Sequence, residues 1–351
     1  MNKVRFGIIG CGGIAYRRTM PAMRECKHAA IRAVMDTNAA AVEKAKAEFQ
    51  VPFGTTRLEE ILARDDVDAV YVATPAYLHK EQVLAAAKAR KHVLCEKPLA
   101  IGVGDVKIII AACQRSKMFL AEGFMMKFHS LHRKARQMIA AGRLGKIVLA
   151  RAQLSCWYPE IPGAWRQVPE QSGGGALIDM ATHLYDLIMF LTGLDVASVA
   201  AICNNLNFKY PVEDSSSTLL KLSNGAHAFV DAFFCIPDEA VEPLLEIYGT
   251  RGSIRAVNTI GQGAGGDMTA YLTSADKAYD ARQARGETGR IKVEAAPVNT
   301  YAAEIDAFAL AILSGKPPEL NGPQNALKIA RLTDAAYKAA KTKRWIAING
   351  K

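Results

Sequence analysis

Apolar and polar positions in the first third of the chain follow two alternating patterns. Short apolar runs rich in β-branched residues predict strands at residues 4–10, 30–35, 69–73, 92–95 and 118–121. Segments with a helical spacing of apolar positions predict helices at residues 14–26, 39–49, 58–63, 78–90 and 103–116. Strand–helix alternation, with strands that are apolar throughout, is typical of a doubly wound parallel sheet that is buried on both faces.

The pattern changes after residue 122. A helix is predicted at residues 130–141, and strand-like runs follow at residues 147–157, 198–205, 217–222, 226–234 and 244–248. Turns or loops join most of these runs, which favours a large, open, mostly antiparallel sheet. Flanking helices are predicted at residues 176–191, 301–314 and 325–340. We therefore expect two domains, residues 1–122 and residues 123–351, with the last helix a candidate to pack back on the first domain.

Two long segments show no clear periodic spacing of apolar and polar residues. Residues 158–175 carry Trp, Arg, three Pro and a Gly triplet, and residues 258–297 are polar and rich in Gly. Long loops in compact domains are often functional or disordered. We expect the first segment to be functional and the second to be partly mobile.

Composition and charge narrow the class of protein. The chain has 351 residues, 50% of them hydrophobic and 22% charged, which is ordinary for a globular protein of two domains. The net charge of +10 is spread along the chain, so it favours attraction of a phosphate-bearing cofactor or an anionic substrate over nucleic-acid binding. Seven cysteines without a C-x-x-C pair predict neither disulfides nor a metal site and favour a reducing compartment. Because no long apolar run or signal peptide is recognisable, we expect a cytoplasmic protein without a membrane partner.

A glycine-rich motif follows the first predicted strand and opens the first predicted helix. Its letters, GCGGIA, match G-x-G-x-x-[GA] in the strand–turn–helix context that the motif requires. Gly10 permits the tight turn, Gly12 lets the backbone approach a pyrophosphate, and Ala15 allows close helix–strand packing. The helix start at Gly13 and Ile14 presents N–H groups to the phosphates. The alternative is an ordinary glycine-rich turn followed by a surface acid.

An acidic residue stands where a dinucleotide-binding domain needs one. Asp36 ends the second predicted strand, about 20 residues past the glycines, where a carboxylate holds the adenosine ribose hydroxyls. A carboxylate there repels a 2′-phosphate, and Thr37 and Asn38 follow it without an adjacent Arg. The first domain is thus predicted to be a Rossmann domain that binds NAD in preference to NADP, with Asp36 and Thr37 at the ribose.

Motifs along nearly the whole chain resemble the glucose–fructose oxidoreductase / inositol dehydrogenase (Gfo/Idh/MocA) family. The matching pieces are GCGGIA at 10–15, ATPAYLH at 73–79, CEKPLA at 95–100, GRLGKI at 142–147, GGGALIDMATHLYDL at 173–187 and EIYGTRGSI at 246–254. The resemblance implies a Rossmann domain followed by a domain with a large, mostly antiparallel sheet. It also implies an NAD(P)-dependent dehydrogenase or reductase that acts on the CH–OH groups of a sugar or polyol.

The resemblance assigns the chemistry to Lys97, Asp179 and His183. Oxidation of an alcohol needs a base for the hydroxyl proton and a positive charge near the developing oxyanion. An imidazole titrates near neutrality, so His183 is the candidate base. Asp179 lies four residues before His183 on a predicted helix, so both side chains share one face of that helix. There Asp179 could orient the imidazole or bond a second substrate hydroxyl. In the family the lysine contacts the reacting hydroxyl. The alternatives are an exposed i,i+4 pair for Asp179 and His183 and a surface Lys–Pro turn for Lys97.

Further site residues follow from the family alone. On the cofactor side the resemblance implies Thr74, Pro75, Leu78, His79, Glu96, Trp165 and Arg166, together with Lys97. On the substrate side it implies Trp165, together with the catalytic residues. Lys127, Tyr158 and His129 are further substrate-side candidates. The alternatives are that His79 bonds backbone near a helix start and that Trp165 fills a core. The family often has Gly where Ala181 stands, and aldose-type members often have Arg and Pro where Lys127 and Ser130 stand.

The motifs leave the substrate and two other functions open. The segment IAYRRTMPAM resembles members that act on sugar ketones, whereas EGFMMKFHSLH resembles members that oxidise aldoses or dihydrodiols. A redox-neutral, NAD-dependent glycoside-cleaving enzyme and a non-catalytic dinucleotide sensor are the alternatives. An open sheet with apolar positions on its outer face predicts a homodimer or homotetramer.

Overall fold

The computed structural model describes residues 3–273, 281 and 289–348 of the chain. The chain divides into two compact units. The first unit comprises Met1–Met125, Pro162–Gly174 and Asn299–Asp334, and the second comprises Met126–Ile161, Gly175–Val298 and Ala335–Lys351.

The first unit contains a parallel sheet of six strands among its described residues. Its strands are β1 (Val4–Ile9), β2 (Ala29–Met35), β3 (Phe53–Thr55), β4 (Ala69–Val72), β5 (His92–Glu96) and β6 (Leu120–Gly123). They lie in the order β3-β2-β1-β4-β5-β6, and each neighbouring pair is parallel. The expected doubly wound Rossmann sheet is confirmed, and its carboxyl-end crevice, beyond β1 and β4, is where ligands bind in such sheets.

The second unit contains a sheet of nine strands among its described residues. Its strands are β7 (Ile147–Ser155), β8 (Val196–Asn204), β9 (Ser215–Leu222), β10 (His227–Phe233), β11 (Leu244–Gly249), β12 (Gly252–Val257), β13 (Asp267–Leu272), β14 (Ile291–Lys292) and β15 (Ile346–Ala347). Their order is β14-β13-β12-β11-β7-β10-β9-β8-β15. Neighbours are antiparallel except β7 and β10, which are parallel, so the expected mostly antiparallel sheet is confirmed.

Helices surround both sheets. The α-helices are α1 (Met20–Met23), α2 (Ala39–Phe49), α3 (Leu58–Leu62), α4 (Ala76–Lys88), α5 (Val103–Ser116), α6 (Ser130–Ala140), α7 (Pro169–Ser172), α8 (Thr182–Thr192), α9 (Thr300–Ser314) and α10 (Pro323–Thr342). Short 3-10 turns lie at Met125–Phe128, Trp165–Gln167 and Asp238–Ala240. Two π-helical turns, Ala15–Thr19 and Leu177–Ala181, lead directly into α1 and α8.

Local chemistry explains where these elements begin and what they cover. Asn38 starts α2 because its side chain accepts hydrogen bonds from the N–H groups of Ala40 and Ala41 at 3.0 and 3.3 Å. In the second unit, α8 is apolar around most of its circumference and packs on β7, while the π-helical turn before it contacts β10. The helix predicted to carry the catalytic pair is therefore held against the centre of the second sheet.

Two expectations about the secondary structure are corrected. The predicted helix at residues 14–26 begins with a π-helical turn and ends at Met23. The segment 258–297, expected to be a loop, contains β13 and β14, because the backbone of β13 pairs with β12 and that of β14 pairs with β13 despite the glycine-rich surroundings. Residues 274–280 and 282–288 of that segment lie outside the described residues, so its expected mobility stays a prediction.

Within the part of the chain that the structure describes, the helices lack the combination of length and apolar character that a membrane span requires.

Candidate active site

The glycine-rich turn begins where β1 ends and requires its first glycine. Gly10 has a φ of +86°, and its N–H donates to the carbonyl of Met35 at 2.8 Å. A Cβ at this position would lie 2.9 Å from Cγ2 of Thr74 and 3.0 Å from the carbonyl of Ala73. Any larger residue would therefore push apart the carboxyl ends of β1 and β4, where the ligand crevice of the sheet lies.

The remaining glycines leave the turn open. A Cβ at Gly12 would find its nearest neighbour, Oδ2 of Asp36, at 4.0 Å, and a Cβ at Gly13 would find nothing within 4 Å. Ala15 is fully buried, as close helix–strand packing requires. A backbone that is tight on its inner side and open on its outer side fits the diphosphate of a dinucleotide.

Asp36 is held beside this turn by its own hydrogen bonds. Its Oδ2 accepts from the N–H of Cys11 at 3.0 Å, and its Oδ1 accepts from the N–H of Asn38 at 3.0 Å. The carboxylate is half-buried, while the neighbouring Thr37 is exposed. A carboxylate oriented in this way at the end of the second strand fits the hydroxyls of an adenosine ribose.

His79 ties two loops together at the carboxyl end of the first sheet. The side chain is 1% exposed, and its ring nitrogens lie 2.8 Å from the carbonyl oxygen of Pro98 and 2.9 Å from that of Thr74. Burial lowers the pKa of the imidazole, and the two backbone contacts oppose this shift. These contacts agree with the alternative in which the His79 side chain bonds the main chain. His79 would then influence a bound cofactor only indirectly, by holding these two loops in place.

The neighbouring residues of this loop shape the start of α4. Pro75 precedes the helix, and its carbonyl accepts a hydrogen bond from the N–H of Leu78 at 3.0 Å. The hydroxyl of Thr74 donates to Oε1 of Gln82 at 2.6 Å. Pro75 and Leu78 are both half-buried and so remain partly accessible to a ligand.

Glu96 and Lys97 stand at the end of β5, before a cis peptide bond to Pro98. The hydroxyl of Tyr71, which is fully buried, donates a hydrogen bond to Oε1 of Glu96. Burial raises the pKa of the Glu96 carboxyl, opposed first by the Tyr71 hydrogen bond and then by the charge of Lys97. An acid with a raised pKa beside a half-buried lysine is typical of a functional cleft.

Arg166 joins the same group of residues. Its guanidinium lies 4.4 Å from the centroid of the Trp165 ring, and both side chains are half-buried. The charge of Arg166 lowers the pKa of Glu96 and also that of His79, so the guanidinium lies near both. The first unit thus brings together the predicted residues of two loops and of the segment before α7.

Asp179 and His183 lie in consecutive elements of the second unit. Asp179 is half-buried within the π-helical turn, and His183, 8% exposed, is in the first turn of α8. The sequence pattern predicts one continuous α-helix through both residues. The π-helical turn changes that assumed spacing because its hydrogen bonds span one residue more than those of an α-helix.

The remaining substrate-side candidates are engaged within the second unit. The ammonium of Lys127 lies 2.7 Å from Oδ1 of Asp186, and both side chains are almost fully buried. The ring of Tyr158 packs against Phe234 with centroids 5.1 Å apart. His129 is 1% exposed, and its Nε2 lies 3.0 Å from the carbonyl oxygen of Gly265. Lys127 and His129 are therefore embedded in the fold, whereas Tyr158 is half-buried.

Several residues next to the candidate groups are not predicted by the sequence motifs. They are Tyr71, which bonds Glu96, Asp186, which pairs with Lys127, and Glu213 and Tyr337, which contact the helix start before Asp179. Asp186 could have been noticed, because it lies three residues after His183 on a predicted helix. Tyr71 sits in an apolar strand and Glu213 in a loop, and neither carries a local signal.

A parallel six-stranded sheet with an open glycine turn and a fixed carboxylate after its second strand defines a dinucleotide-binding protein. Residues 4–124 match the model of an oxidoreductase family with an NAD-binding Rossmann fold, and residues 132–255 match that of the GFO/IDH/MocA C-terminal domain. The chain belongs to the Gfo/Idh/MocA family of NAD(P)-dependent oxidoreductases, which confirms the resemblance found in the sequence.

Relatives of known activity match almost the full length of the chain. 1,5-Anhydro-D-fructose reductase of Ensifer adhaerens is 32% identical over 340 residues, which cover 96% of each chain. D-Xylose 1-dehydrogenase (NADP(+)) 2 of Haloferax volcanii is 28% identical over 96% of this chain and 97% of its own. The solved structure of aldose-aldose oxidoreductase from Caulobacter crescentus, complexed with glycerol, is 26% identical with a TM-score of 0.88, covering 99% of this chain and 100% of that one.

Proposed function

We propose that this chain is a dehydrogenase or reductase that uses NAD in preference to NADP and transfers a hydride at a CH–OH or keto carbon of a sugar, polyol or sugar derivative. The observation that carries the proposal is the Asp36 carboxylate, fixed by the Cys11 N–H beside an open glycine turn. The substrate class is supported by the sugar reductase and sugar dehydrogenase among its relatives.

The cofactor would be held by two sets of residues. Those at the turn and at the end of β2 would hold the diphosphate and the ribose: Gly10, Gly12, Gly13, Ile14, Ala15, Asp36 and Thr37. Those near the ends of β4 and β5 and in the segment before α7 would border the nicotinamide: Thr74, Pro75, Leu78, Glu96, Lys97, Trp165 and Arg166. When bound, the nicotinamide supplies the hydride acceptor or donor.

Three side chains would transfer the proton or stabilise the negative charge that accompanies hydride transfer. His183 takes the proton of the substrate hydroxyl during oxidation and returns it during reduction. The ammonium of Lys97 bonds the reacting oxygen and stabilises its developing negative charge. Asp179 orients the imidazole or bonds a second hydroxyl of the substrate. Trp165 and Tyr158 are candidates for contact with a sugar face.

The proposal is tested by NADH absorbance over a panel of sugars and polyols, with NAD and NADP compared. We expect turnover with NAD on at least one sugar or polyol and a fall of at least about a hundredfold in kcat for Lys97→Ala and for His183→Ala. Lys88→Ala is the control, because this side chain is exposed at the carboxyl end of α4. Near-normal rates in both site variants would refute the assignment.

Two other results would redirect the proposal. Bond cleavage in a glycoside without net NADH production would identify a redox-neutral enzyme that keeps the same residues. NAD binding without any turnover across the panel would identify a sensor.

We also propose that a second copy of the chain covers the outer face of the second sheet. Ile202 is 65% exposed on β8, Phe229 is 40% exposed on β10, and Trp345 beside β15 is 51% exposed. Together they line one open apolar groove, which would be an aggregation liability in a lone chain. Light scattering after size exclusion should give a dimer or tetramer, and a monomer would contradict the proposal.

A further inference from the structure

The helical segment that begins at Leu177 has no cap of its own. Ala176 precedes it and provides no side-chain hydrogen bond. The first four N–H groups of a helical segment lack partners within it and must be satisfied from elsewhere. Here they belong to residues 175–178, and two residues distant in the sequence, Glu213 and Tyr337, satisfy them.

Glu213 supplies most of this cap. Its main-chain carbonyl accepts from the N–H of Ala176 at 3.0 Å, and its Oε1 accepts from the N–H of Leu177 at 3.0 Å. The N–H of Gly175 also bonds the carboxylate. A negative charge at the start of a helix is favoured by the helix dipole, so Glu213 acts as an N-cap contributed by another segment.

Tyr337 of α10 completes the arrangement. Its hydroxyl donates to Oε1 of Glu213 at 2.8 Å and accepts a hydrogen bond from the N–H of Ile178. Burial raises the pKa of Glu213, and the Tyr337 hydrogen bond is the largest of the effects that oppose it. The tyrosine therefore helps to keep the capping carboxylate charged.

Gly175 lets the two segments approach closely. A Cβ at this residue would lie 1.9 Å from the carbonyl oxygen of Glu213, which no side chain tolerates. The contact joins main chain to main chain, and it fixes the position of residue 175 more tightly than a contact between side-chain tips would.

Asp179 is directly connected to this contact. Its N–H donates to the carbonyl of Gly175 at 3.0 Å, and it lies two residues after Leu177 in the π-helical turn. We propose that Glu213 and Tyr337 are positioning residues, which fix the Asp179 carboxylate by holding the main chain of residues 175–178. This inference rests on the proposed function, in which Asp179 takes part in hydride transfer.

The test compares Glu213→Gln in the wild-type chain and in Asp179→Asn. Gln keeps the size of the side chain and one acceptor oxygen, but it removes the negative charge and replaces the other oxygen by an NH2 donor. We expect kcat to fall about tenfold in the wild-type background, because small displacements of reacting groups are costly. The KM for NAD should stay within twofold. In Asp179→Asn, assayed at higher enzyme concentration, the same change should alter kcat by less than twofold, because the group that Glu213 positions is already lost.

The control is Asp306→Asn in the first unit. Asp306 also accepts hydrogen bonds from two main-chain N–H groups of a distant segment, those of Lys27 and His28, at 2.9 and 2.8 Å. These residues precede β2, at the end of the sheet opposite the glycine turn. We expect both Glu213→Gln and Asp306→Asn to lower the melting temperature. Only Glu213→Gln should also lower kcat, because Asp306 holds a segment away from the candidate site.

Four results would overturn the inference or separate it from the proposed function. A kcat for Glu213→Gln within twofold of wild type overturns it, as does an equal fall of kcat in both backgrounds. If Glu213→Gln does not fold, Tyr337→Phe, which keeps the carboxylate, should lower kcat about threefold, and an unchanged kcat again overturns it. If Asp179→Asn itself has wild-type kcat, the role of Asp179 in the proposed function is wrong and the inference falls with it.

Discussion

The ammonium of Lys127 lies 2.7 Å from Oδ1 of Asp186, with side chains that are 4% and 1% exposed. Asp186 is in α8, three residues after His183, so the ion pair and the imidazole belong to the same region of that helix. Desolvating two charges is expensive, and their mutual attraction offsets that cost only while both partners are present.

Removing one partner of this ion pair should therefore be strongly destabilising. We expect Lys127→Met or Asp186→Leu alone to lower the free energy of unfolding by about 3–5 kcal/mol, since each leaves an uncompensated buried charge. The double variant should cost less than the sum of the two, because no charge remains. Urea unfolding of the four chains measures this, and additive losses would show that the two charges are not coupled.

The position of Asp36 predicts how the cofactor preference can be changed. Asp36→Ser with Thr37→Arg removes the carboxylate that repels a 2′-phosphate and adds a guanidinium that can bond it. We expect the Kd for NADH to rise and that for NADPH to fall, each by about tenfold, as measured by fluorescence titration.

Asn38→Ala is the matched control for this exchange. Asn38 caps α2 beside Asp36, and its loss should cost about 1 kcal/mol of stability without altering the ratio of the two Kd values. A wild-type chain that binds NADPH more tightly than NADH would contradict the role given to Asp36.

Two helices show how much of the fold can be predicted from local patterns. The predicted helices 39–49 and 103–116 have the bounds found in the structure. The start of the first is marked in the sequence by Asn38, whose side chain caps α2. The strands β13 and β14 were missed because β13 forms by pairing with β12 and β14 by pairing with β13, and the two residues of β14 are too few to make a pattern.

The candidate site was predictable where chemistry lies in short motifs. Asp36, Glu96, Lys97 and His183 stand out by residue type and position, whereas the cap formed by Glu213 and Tyr337 depends on segments more than 100 residues apart. The π-helical turn around Asp179 was also not foreseeable, since its letters are compatible with an ordinary α-helix. Long-range contacts and local helix type therefore limit what the sequence alone can predict about the geometry.

Acid should destabilise the chain through His132. This imidazole is fully buried, with Nδ1 2.8 Å from the carbonyl of Met126 and Nε2 3.0 Å from the hydroxyl of Thr259, and burial lowers its pKa to about 3. Between the unfolded pKa of about 6.5 and the folded value, the unfolded chain binds a proton that the folded chain does not. Stability should therefore fall as pH decreases through this window, by about 1.4 kcal/mol per pH unit for this one group.

The variant His132→Asn tests this linkage. Between pH 6 and pH 4, its free energy of unfolding should decline less steeply than that of the wild type. The difference in slope should be about 1.4 kcal/mol per pH unit, the value for one proton. Thr192→Val serves as the comparison, because Thr192 is buried and its hydroxyl donates to the carbonyl of Ile188 at 2.7 Å, but it carries no group that titrates in this range. It should lower the stability and leave the slope unchanged. Equal slopes for His132→Asn and the wild type would show that His132 is not the group responsible.

Two glycines with opposite surroundings should respond oppositely to alanine. Gly175→Ala places a Cβ 1.9 Å from the Glu213 carbonyl, and we expect a loss of about 3 kcal/mol or more and poor expression. Gly104→Ala adds a Cβ that meets nothing within 4 Å in the first turn of α5, so it should stabilise by up to about 1 kcal/mol. Thermal melting of both variants measures the difference, and equal melting temperatures would show that the contact at residue 175 relaxes freely.

The π-helical turns at Ala15–Thr19 and Leu177–Ala181 also affect how this chain should be aligned with its relatives. Such a turn accommodates one residue more than the α-helical turn it replaces. A homologue with a regular α-helix at either place would thus be one residue shorter there. An ungapped alignment would then pair Asp179 with the neighbour of its true counterpart, and the difference would be mistaken for a substitution.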